Sequence, residues 1–189
     1  EFPERRESLL AEFKSGRYKA PALRRVYIPK DKHSQRPIDI STTEDKVLQE
    51  SVRRVIEPIY EEDFKPFSYG FRPGRSQHQA IDLMFRKVSF EKMHYIIDED
   101  IKNYFGSINH GFLRDFLDTR VNDGVVRRMI DKWLKAGILE LGNISYPDEG
   151  TPQGGIISPI LSNIYLHYVL DEWFSGQIQP LLKGRSFII

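Results

Sequence analysis

The sequence contains no cysteine, and this absence excludes several kinds of chemistry. Disulfide bonds, thiolate metal sites and a cysteine nucleophile all require that side chain. The sequence also lacks any run of about 18 apolar residues, the length that a helix needs to cross a bilayer. Its first residues, EFPERRESLL, carry charges where a signal peptide would carry its apolar stretch. We therefore expect a soluble, cytoplasmic protein with no membrane partner.

The patterns that are present predict an α+β fold. With 189 residues, 40% of them hydrophobic and 12% aromatic, the chain has enough apolar side chains for a core. Alternating apolar and polar positions predict strands at 23–29 and 36–40 joined as a hairpin, and a second, short hairpin at 137–150. Buried strands are also predicted at 93–99 and in the tail RSFII. Helical spacing predicts helices over 3–15, about 43–60, from Ser76, 109–120, 123–136 and 157–174.

The net charge is only +1, but the basic residues are concentrated in one segment. Between residues 14 and 36 there are eight Lys and Arg residues and a single acid, Asp31. This density of cations is typical of a phosphate-binding surface. Tyr18 and Tyr27 lie among the cations, which suits base stacking and favours nucleic acid over the alternative of a solvated charged face.

The stretch YIIDEDIKNYFG, residues 95–106, runs from apolar residues into Asp98, Glu99 and Asp100. A buried strand that ends in carboxylates can hold a divalent cation, although solvated charge is the alternative. A hard cation prefers several oxygen ligands, so one carboxylate requires partners elsewhere.

The stretch GTPQGGIISP, residues 150–159, places three glycines and two prolines around Gln153, just before a predicted helix. Glycines allow a backbone to approach a ligand closely, and a helix N-terminus favours anions. Taken alone, such a loop is more often a simple turn.

The motifs RRVYIPK, YGFRPGRS, DIKNYF and TPQGGIISPILSNIYL, in this order, resemble those of the reverse transcriptases encoded by group II introns. The resemblance covers about residues 9–189. It implies the fingers of a right-hand polymerase at 1–90, with the basic hairpin at about 23–40, and a partial palm at 91–189. The family carries two further catalytic aspartates in a Tyr-Ala-Asp-Asp motif, which is absent here. We expect the chain to be a fragment that ends before this motif and that is inactive alone.

The resemblance also implies roles for single residues. Asp100 matches the catalytic metal ligand, to which the carbonyl of Ile101 adds a second oxygen for Mg²⁺. Tyr104 matches the aromatic residue under the incoming sugar. The remaining nucleotide-binding residues implied are Lys30, Arg36, Gln153 and Gly154. The RNA-binding residues implied are Arg24, Arg25, Arg72 and Arg75, of which the last two have the alternative of pinning the YGFRPGRS loop.

The implied partners are an RNA template, intron RNA, a DNA or RNA primer, and dNTPs. Two functions remain open beside polymerisation: an RNA-binding splicing cofactor (maturase), and a retron-like or CRISPR-associated reverse transcriptase. The sequence departs from the family at Asp39, within a segment that commonly reads Leu-Gly-Ile-Pro, and at Gly106, where an Asp is common. Asp39 places an acid close to the expected triphosphate. His110 is expected to be a cap or a structural hydrogen-bonding residue.

Overall fold

The computed structural model describes residues 2–91 and 93–189. Within these residues the chain combines α-helices with a single small sheet, which confirms the predicted α+β class. The helices are α1 Phe2–Lys14, α2 Thr43–Glu61, α3 Gln77–Ser89, α4 His110–Asp118, α5 Gly124–Leu134 and α6 Ser158–Leu166. The strands are β1 Leu23–Pro29, β2 Gln35–Ile40, β3 Ile138–Glu140 and β4 Asn143–Ser145. After α6 the chain continues through π-helical turns to Ile178.

The four strands lie in the order β2-β1-β3-β4. Both predicted hairpins are present, since β1 pairs with β2 and β3 pairs with β4 in antiparallel fashion. A parallel pair joins them, in which Leu23 faces Ile138. Sequence reasoning did not predict this pair, because its strands are more than 100 residues apart. It places the loop that follows β4 beside the basic hairpin.

Helix α2 begins as its sequence predicts. The Thr42 side chain caps it by accepting a hydrogen bond from the backbone N–H of Asp45. A proline inside a helix can end or kink it, but Pro58 does not end α2, which runs on to Glu61. The residues that α2 buries are Asp45, Leu48, Gln49, Val52, Ile56 and Tyr60.

The hydrophobic core lies between α2, α4, α5 and α6, with Ile56, Leu113, Ile130 and Ile164 almost fully buried. It draws on residues from both sides of position 90, the expected boundary between fingers and palm; that boundary stays a prediction.

Asp45 is a charged side chain inside this core, 1% exposed. It accepts hydrogen bonds from the Tyr18 hydroxyl at 2.9 Å and from Trp133 Nε1 at 3.0 Å. Tyr18 is therefore a core residue, and the prediction that it stacks on bases is wrong. Burial raises the pKa of Asp45, while the two hydrogen bonds act in the opposite direction.

The predicted strand at 93–99 is wrong. These residues have no regular secondary structure, and Tyr95 and Ile97 are 90% and 83% exposed. The tail RSFII is irregular too. A strand needs a neighbour for its backbone hydrogen bonds, and no strand within 2–91 and 93–189 pairs with either segment. Helix α3 also leaves large apolar side chains exposed, for example Ile81 and Phe85. No helix within the described ranges is long and apolar enough to span a membrane.

Candidate nucleotide-binding cavity

A cavity of about 740 Å³ lies between the β1–β2 hairpin, the segment around Asp100 and the loop at 150–153. Segments far apart in sequence meet at this cavity. Seven of the predicted site residues line it: Arg25, Lys30, Arg36, Asp100, Ile101, Tyr104 and Gln153. The fold therefore gathers the cations, the carboxylate and the glycine-rich loop that the sequence singled out separately.

Gly150 joins the loop to the segment that carries Asp100. Its N–H donates to the carbonyl of Ile108 at 2.7 Å, and the N–H of Thr151 donates to the carbonyl of Phe105 at 2.7 Å. Gly150 has φ +89°, and a Cβ there would lie 2.9 Å from both the Cα of Gly106 and the carbonyl oxygen of Phe105. Only glycine allows the two backbones to approach this closely. We call the contacts among residues 105–108 and 150–151 the Gly150 junction.

His110 reinforces the Gly150 junction. Its ring is buried, and Nε2 lies 2.6 Å from the carbonyl oxygen of Gly150. Because a carbonyl oxygen can only accept, Nε2 carries the proton and donates. The neighbouring Asn109 caps α4 by accepting hydrogen bonds from Gly111 and Phe112. The expectation that His110 is a structural hydrogen-bonding residue is confirmed.

The middle of the loop lies against strand β2. The N–H of Asp39 donates to the carbonyl of Gln153 at 2.7 Å. Gly154 follows with φ +112°, and a Cβ there would lie 3.0 Å from Cγ2 of Ile38 and 3.2 Å from the carbonyl oxygen of Asp39. The glycine thus allows close packing of the loop on the strand.

The end of the loop is held by a buried side chain from α2. Gln49, 2% exposed, accepts hydrogen bonds through Oε1 from the N–H groups of Ile156 at 3.0 Å and Ile157 at 3.4 Å. The Ser158 hydroxyl donates to the carbonyl of Pro152 at 2.8 Å. The loop is therefore fixed along its whole length before any ligand binds, which lowers the ordering cost of binding.

The two cations expected to bind triphosphate, Lys30 and Arg36, lie at the tip of the basic hairpin, and both are exposed. The tip is a hydrogen-bonded turn in which Asp31 accepts from the N–H groups of His33 at 2.7 Å and Ser34 at 2.8 Å. Hydrogen bonds from the Ser34 hydroxyl and from these N–H groups lower the pKa of Asp31. In the part of the chain that the structure describes, neither cation forms an ion pair. Their charge is available to an anion in the cavity.

Arg25, predicted to contact RNA, is already paired within the protein. Its Nε and Nη2 donate to the two carboxylate oxygens of Asp39 at 2.8 and 3.1 Å. Asp39 is 2% exposed, and its hydrogen bonds with Arg25 raise the pKa of the guanidinium. Arg24, the next residue along β1, is exposed. Arg24 is therefore accessible to RNA, whereas the N–H donors of Arg25 are already hydrogen-bonded to Asp39.

Arg72 pins the YGFRPGRS loop, which was one of its two expected roles. It is 7% exposed, donates to the Glu61 carboxylate, and reaches the carbonyls of Lys65 and Ser68, both at 2.8 Å. Its guanidinium also lies 5.1 Å from the centroid of the Phe64 ring. Arg75 is exposed, with its guanidinium over the ring of Tyr69. Of this pair, Arg75 is the one that RNA can reach.

Tyr104 lines the cavity, but its hydroxyl donates to the carbonyl of the buried Ser162 at 2.7 Å. Burial raises the pKa of Tyr104 to about 12. Phe105 also lines the cavity and was missed in the sequence, although it follows Tyr104 in the same motif. Tyr146 and Glu149, before the glycine-rich loop, were missed as well, because only the β1–β3 pairing places them here.

The metal site expected from the sequence is partly represented. The carboxylate of Asp100 and the carbonyl of Ile101 are hard oxygen donors of the kind that Mg²⁺ prefers, and both residues line the cavity. Within 2–91 and 93–189, no group of three or more His, Cys, Asp or Glu side chains is arranged to hold a metal ion. The residues therefore fit Mg²⁺ in chemistry and supply only part of a ligand set.

Residues 28–179 match the family described as reverse transcriptase (RNA-dependent DNA polymerase). The chain belongs to the reverse transcriptase family. The match includes the last two residues of β1, the whole of β2, the segment around Asp100 and the whole glycine-rich loop.

Related proteins place this reverse transcriptase chain near the group II intron type. It is 40% identical over 165 residues to the group II intron-encoded protein LtrA of Lactococcus lactis, covering 87% of this chain and 27% of LtrA. It is 37% identical over 190 residues to protein YkfC of Escherichia coli K12, covering 93% of this chain and 50% of YkfC. The chain thus spans half the length of these curated relatives, or less.

A solved structure supports the same assignment of fold. The chain superposes on a protein of a partial Cas6-RT-Cas1–Cas2 complex with a TM-score of 0.57 and 26% sequence identity. The superposition covers 89% of this chain and 28% of that one. The architecture is therefore shared with a reverse transcriptase from a different kind of assembly.

Proposed function

We propose that this chain provides the nucleotide-binding side of an RNA-directed DNA polymerase of the group II intron type. The observation that carries the proposal is the cavity in which Lys30 and Arg36 meet Asp100 and Gln153. It combines exposed cations for a triphosphate, an oxygen donor for a metal, and a pre-ordered backbone loop. In this proposal the partners of the full-length protein are an RNA template, a primer and dNTPs.

The residues of the cavity suit nucleotidyl transfer. The reaction displaces pyrophosphate at phosphorus, so negative charge develops on the departing oxygens. Lys30 offers a point charge and Arg36 a planar fork, and together they bind and neutralise the β- and γ-phosphates. Bound Mg²⁺ would act as a Lewis acid toward the reacting oxygens, with Asp100 and Ile101 among its ligands in the full-length protein. The ordered loop orients the nucleotide beside Gln153.

The decisive experiment replaces the carboxylate with an amide of the same shape. In the full-length protein that carries this chain, Asp100→Asn is expected to abolish primer extension with Mg²⁺ and dNTPs, because it removes the charge of a metal ligand. RNA binding, measured by filter retention, should change less than about twofold, since phosphate contacts are made by separate cations. Asp98→Asn is the matched control and should retain extension. Strong residual activity in Asp100→Asn combined with its loss in Asp98→Asn would move the ligand to Asp98.

A second function, that of an RNA-binding splicing cofactor, is favoured by the names of relatives. The chain is 34% identical over 122 residues to nuclear intron maturase 3 of Arabidopsis thaliana, covering 64% of this chain and 17% of that protein. Holding intron RNA requires the exposed cations of the basic hairpin but no metal. Splicing that survives Asp100→Asn and is lost when Arg24 and Lys30 are replaced would establish this role beside polymerisation or instead of it.

A further inference from the structure

Asp39, the residue that departs from the family pattern, is a charged side chain buried in the wall of the cavity. Both of its carboxylate oxygens accept hydrogen bonds from Arg25, in the fork geometry that a guanidinium and a carboxylate form best. A second acid, Glu140 on β3, lies 3.8 Å from Nη1 of Arg25 and accepts a hydrogen bond from the hydroxyl of Tyr27. This charged cluster links β1, β2 and β3. Within it the Asp39 side chain is 2% exposed and that of Arg25 23% exposed, so the geometry of their pair is more restricted than that of a surface ion pair.

The backbone of the same residue holds the glycine-rich loop. Strand β2 lies at the edge of the sheet, so each N–H that points away from β1 needs another acceptor. At Asp39 that acceptor is the carbonyl of Gln153, at 2.7 Å. Gly154 then packs on the strand without a Cβ that would interfere. The contact therefore extends the sheet edge into the loop that borders the cavity.

Asp39 thus connects strand β2 both to Arg25 on β1 and to the glycine-rich loop. The side chain of Asp39 anchors β2 on Arg25, and its N–H anchors Gln153 on β2. We propose, on the basis of the proposed function, that Asp39 is a positioning residue for the incoming nucleotide, and that its ion pair with Arg25 sets the place of Gln153 at the cavity. Arg25 then serves as the partner of Asp39 and not as an RNA contact.

The proposal makes a local prediction that does not require catalysis. Asp39→Asn keeps the N–H and the shape of the side chain but removes the charge that holds Arg25. In this chain, hydrogen exchange at the amide of residue 39, followed by NMR, is expected to accelerate about 5- to 10-fold, the effect of weakening one net hydrogen bond. Arg25→Gln should accelerate the same amide by a similar factor. The double variant should be no faster than either single one, because the two residues act as a unit.

A matched control separates this local effect from a general loss of stability. Asp131→Asn makes the same chemical change in another ion pair, that of Arg114 Nε with Asp131 Oδ1 at 2.6 Å, outside the cavity lining. It should leave exchange at residue 39 within about twofold of the unsubstituted chain. The core amide of Ile130 reports global unfolding. Equal acceleration at residues 39 and 130 in Asp39→Asn, or no acceleration at residue 39 in Arg25→Gln, overturns the proposal.

The second measurement concerns nucleotide use. In the full-length protein, Asp39→Asn is expected to raise the KM for dNTP about 5- to 10-fold while kcat changes less than about twofold and RNA affinity stays the same, because Gln153 is displaced but the metal ligand is not. A local exchange effect with an unchanged KM shows that the pair is only structural and overturns the positioning role. A full-length protein without polymerase activity overturns the proposed function, and the role toward the nucleotide with it, whereas the exchange result on the Gln153 contact still stands.

Discussion

Replacing Gly150 by alanine is expected to break the junction that holds the glycine-rich loop against the segment carrying Asp100. The new Cβ would lie 2.9 Å from the Cα of Gly106 and from the carbonyl oxygen of Phe105. Both are backbone atoms, so neither can rotate away as the end of a side chain could. The loop must therefore move, and its movement stretches the two hydrogen bonds of 2.7 Å that Gly150 and Thr151 donate across the junction.

The expected loss of stability is the sum of two costs and one partial offset. A non-glycine residue in the left-handed region costs roughly 1–2 kcal/mol. Two weakened backbone hydrogen bonds cost about 1 kcal/mol each. Alanine also restricts the unfolded chain, which offsets about 0.4–1 kcal/mol. We therefore expect Gly150→Ala to lower the free energy of unfolding by about 3 kcal/mol, measured by urea denaturation followed by circular dichroism.

Gly142 is the matched control for this substitution. Its φ of +84° is close to the +89° of Gly150, but a Cβ there would meet no atom within 4 Å. Gly142→Ala therefore includes the cost of the left-handed backbone and omits the collision, so it should lower stability by about 1 kcal/mol or less. Equal losses for the two variants would refute the argument from the close approach of the two backbones.

Three further predictions follow from the pairing of single side chains. Because burial raises the pKa of Asp45, its contribution to stability is fully present below about pH 4 and is lost as the pH rises through the higher folded pKa. Melting temperatures from pH 3 to pH 7 should therefore shift in favour of Asp45→Asn as the pH rises, and a constant difference between the two proteins would contradict this. Arg24→Gln should reduce the slope of log RNA-binding constant against log salt concentration by about 0.7–0.9. Arg25→Gln should leave this slope unchanged, because Arg25 is paired with Asp39. Equal reductions in the two variants would argue that both residues contact phosphate. The hydroxyl of Tyr104 is anchored in the core. Phe105→Ala should therefore raise ribonucleotide incorporation by the full-length protein more than Tyr104→Ala does. The reverse order would indicate that Tyr104 is the residue in contact with the sugar.

The sequence alone determined the elements whose signals are local. The basic hairpin, helix α2 and the start of helix α3 were all predicted close to their observed bounds. These elements depend on residues two to four positions apart, which any reading of the chain can compare. The motifs also indicated the family and named Lys30 and Asp100, which the structure places in one cavity.

The tertiary structure decided which of these residues can contact a ligand and which segments form strands. The position of Tyr18 among cations predicts base stacking, yet its hydroxyl donates to Asp45, 27 positions away. Asp45 also accepts a hydrogen bond from Trp133, 88 positions away. Arg25 reads as an RNA contact, yet it pairs with Asp39 across the hairpin. The segment at 93–99 reads as a buried strand, yet no described strand pairs with it. The physical reason is the same in each case, because burial and pairing depend on partners brought close only by folding, and these partners leave no periodic signal in the sequence.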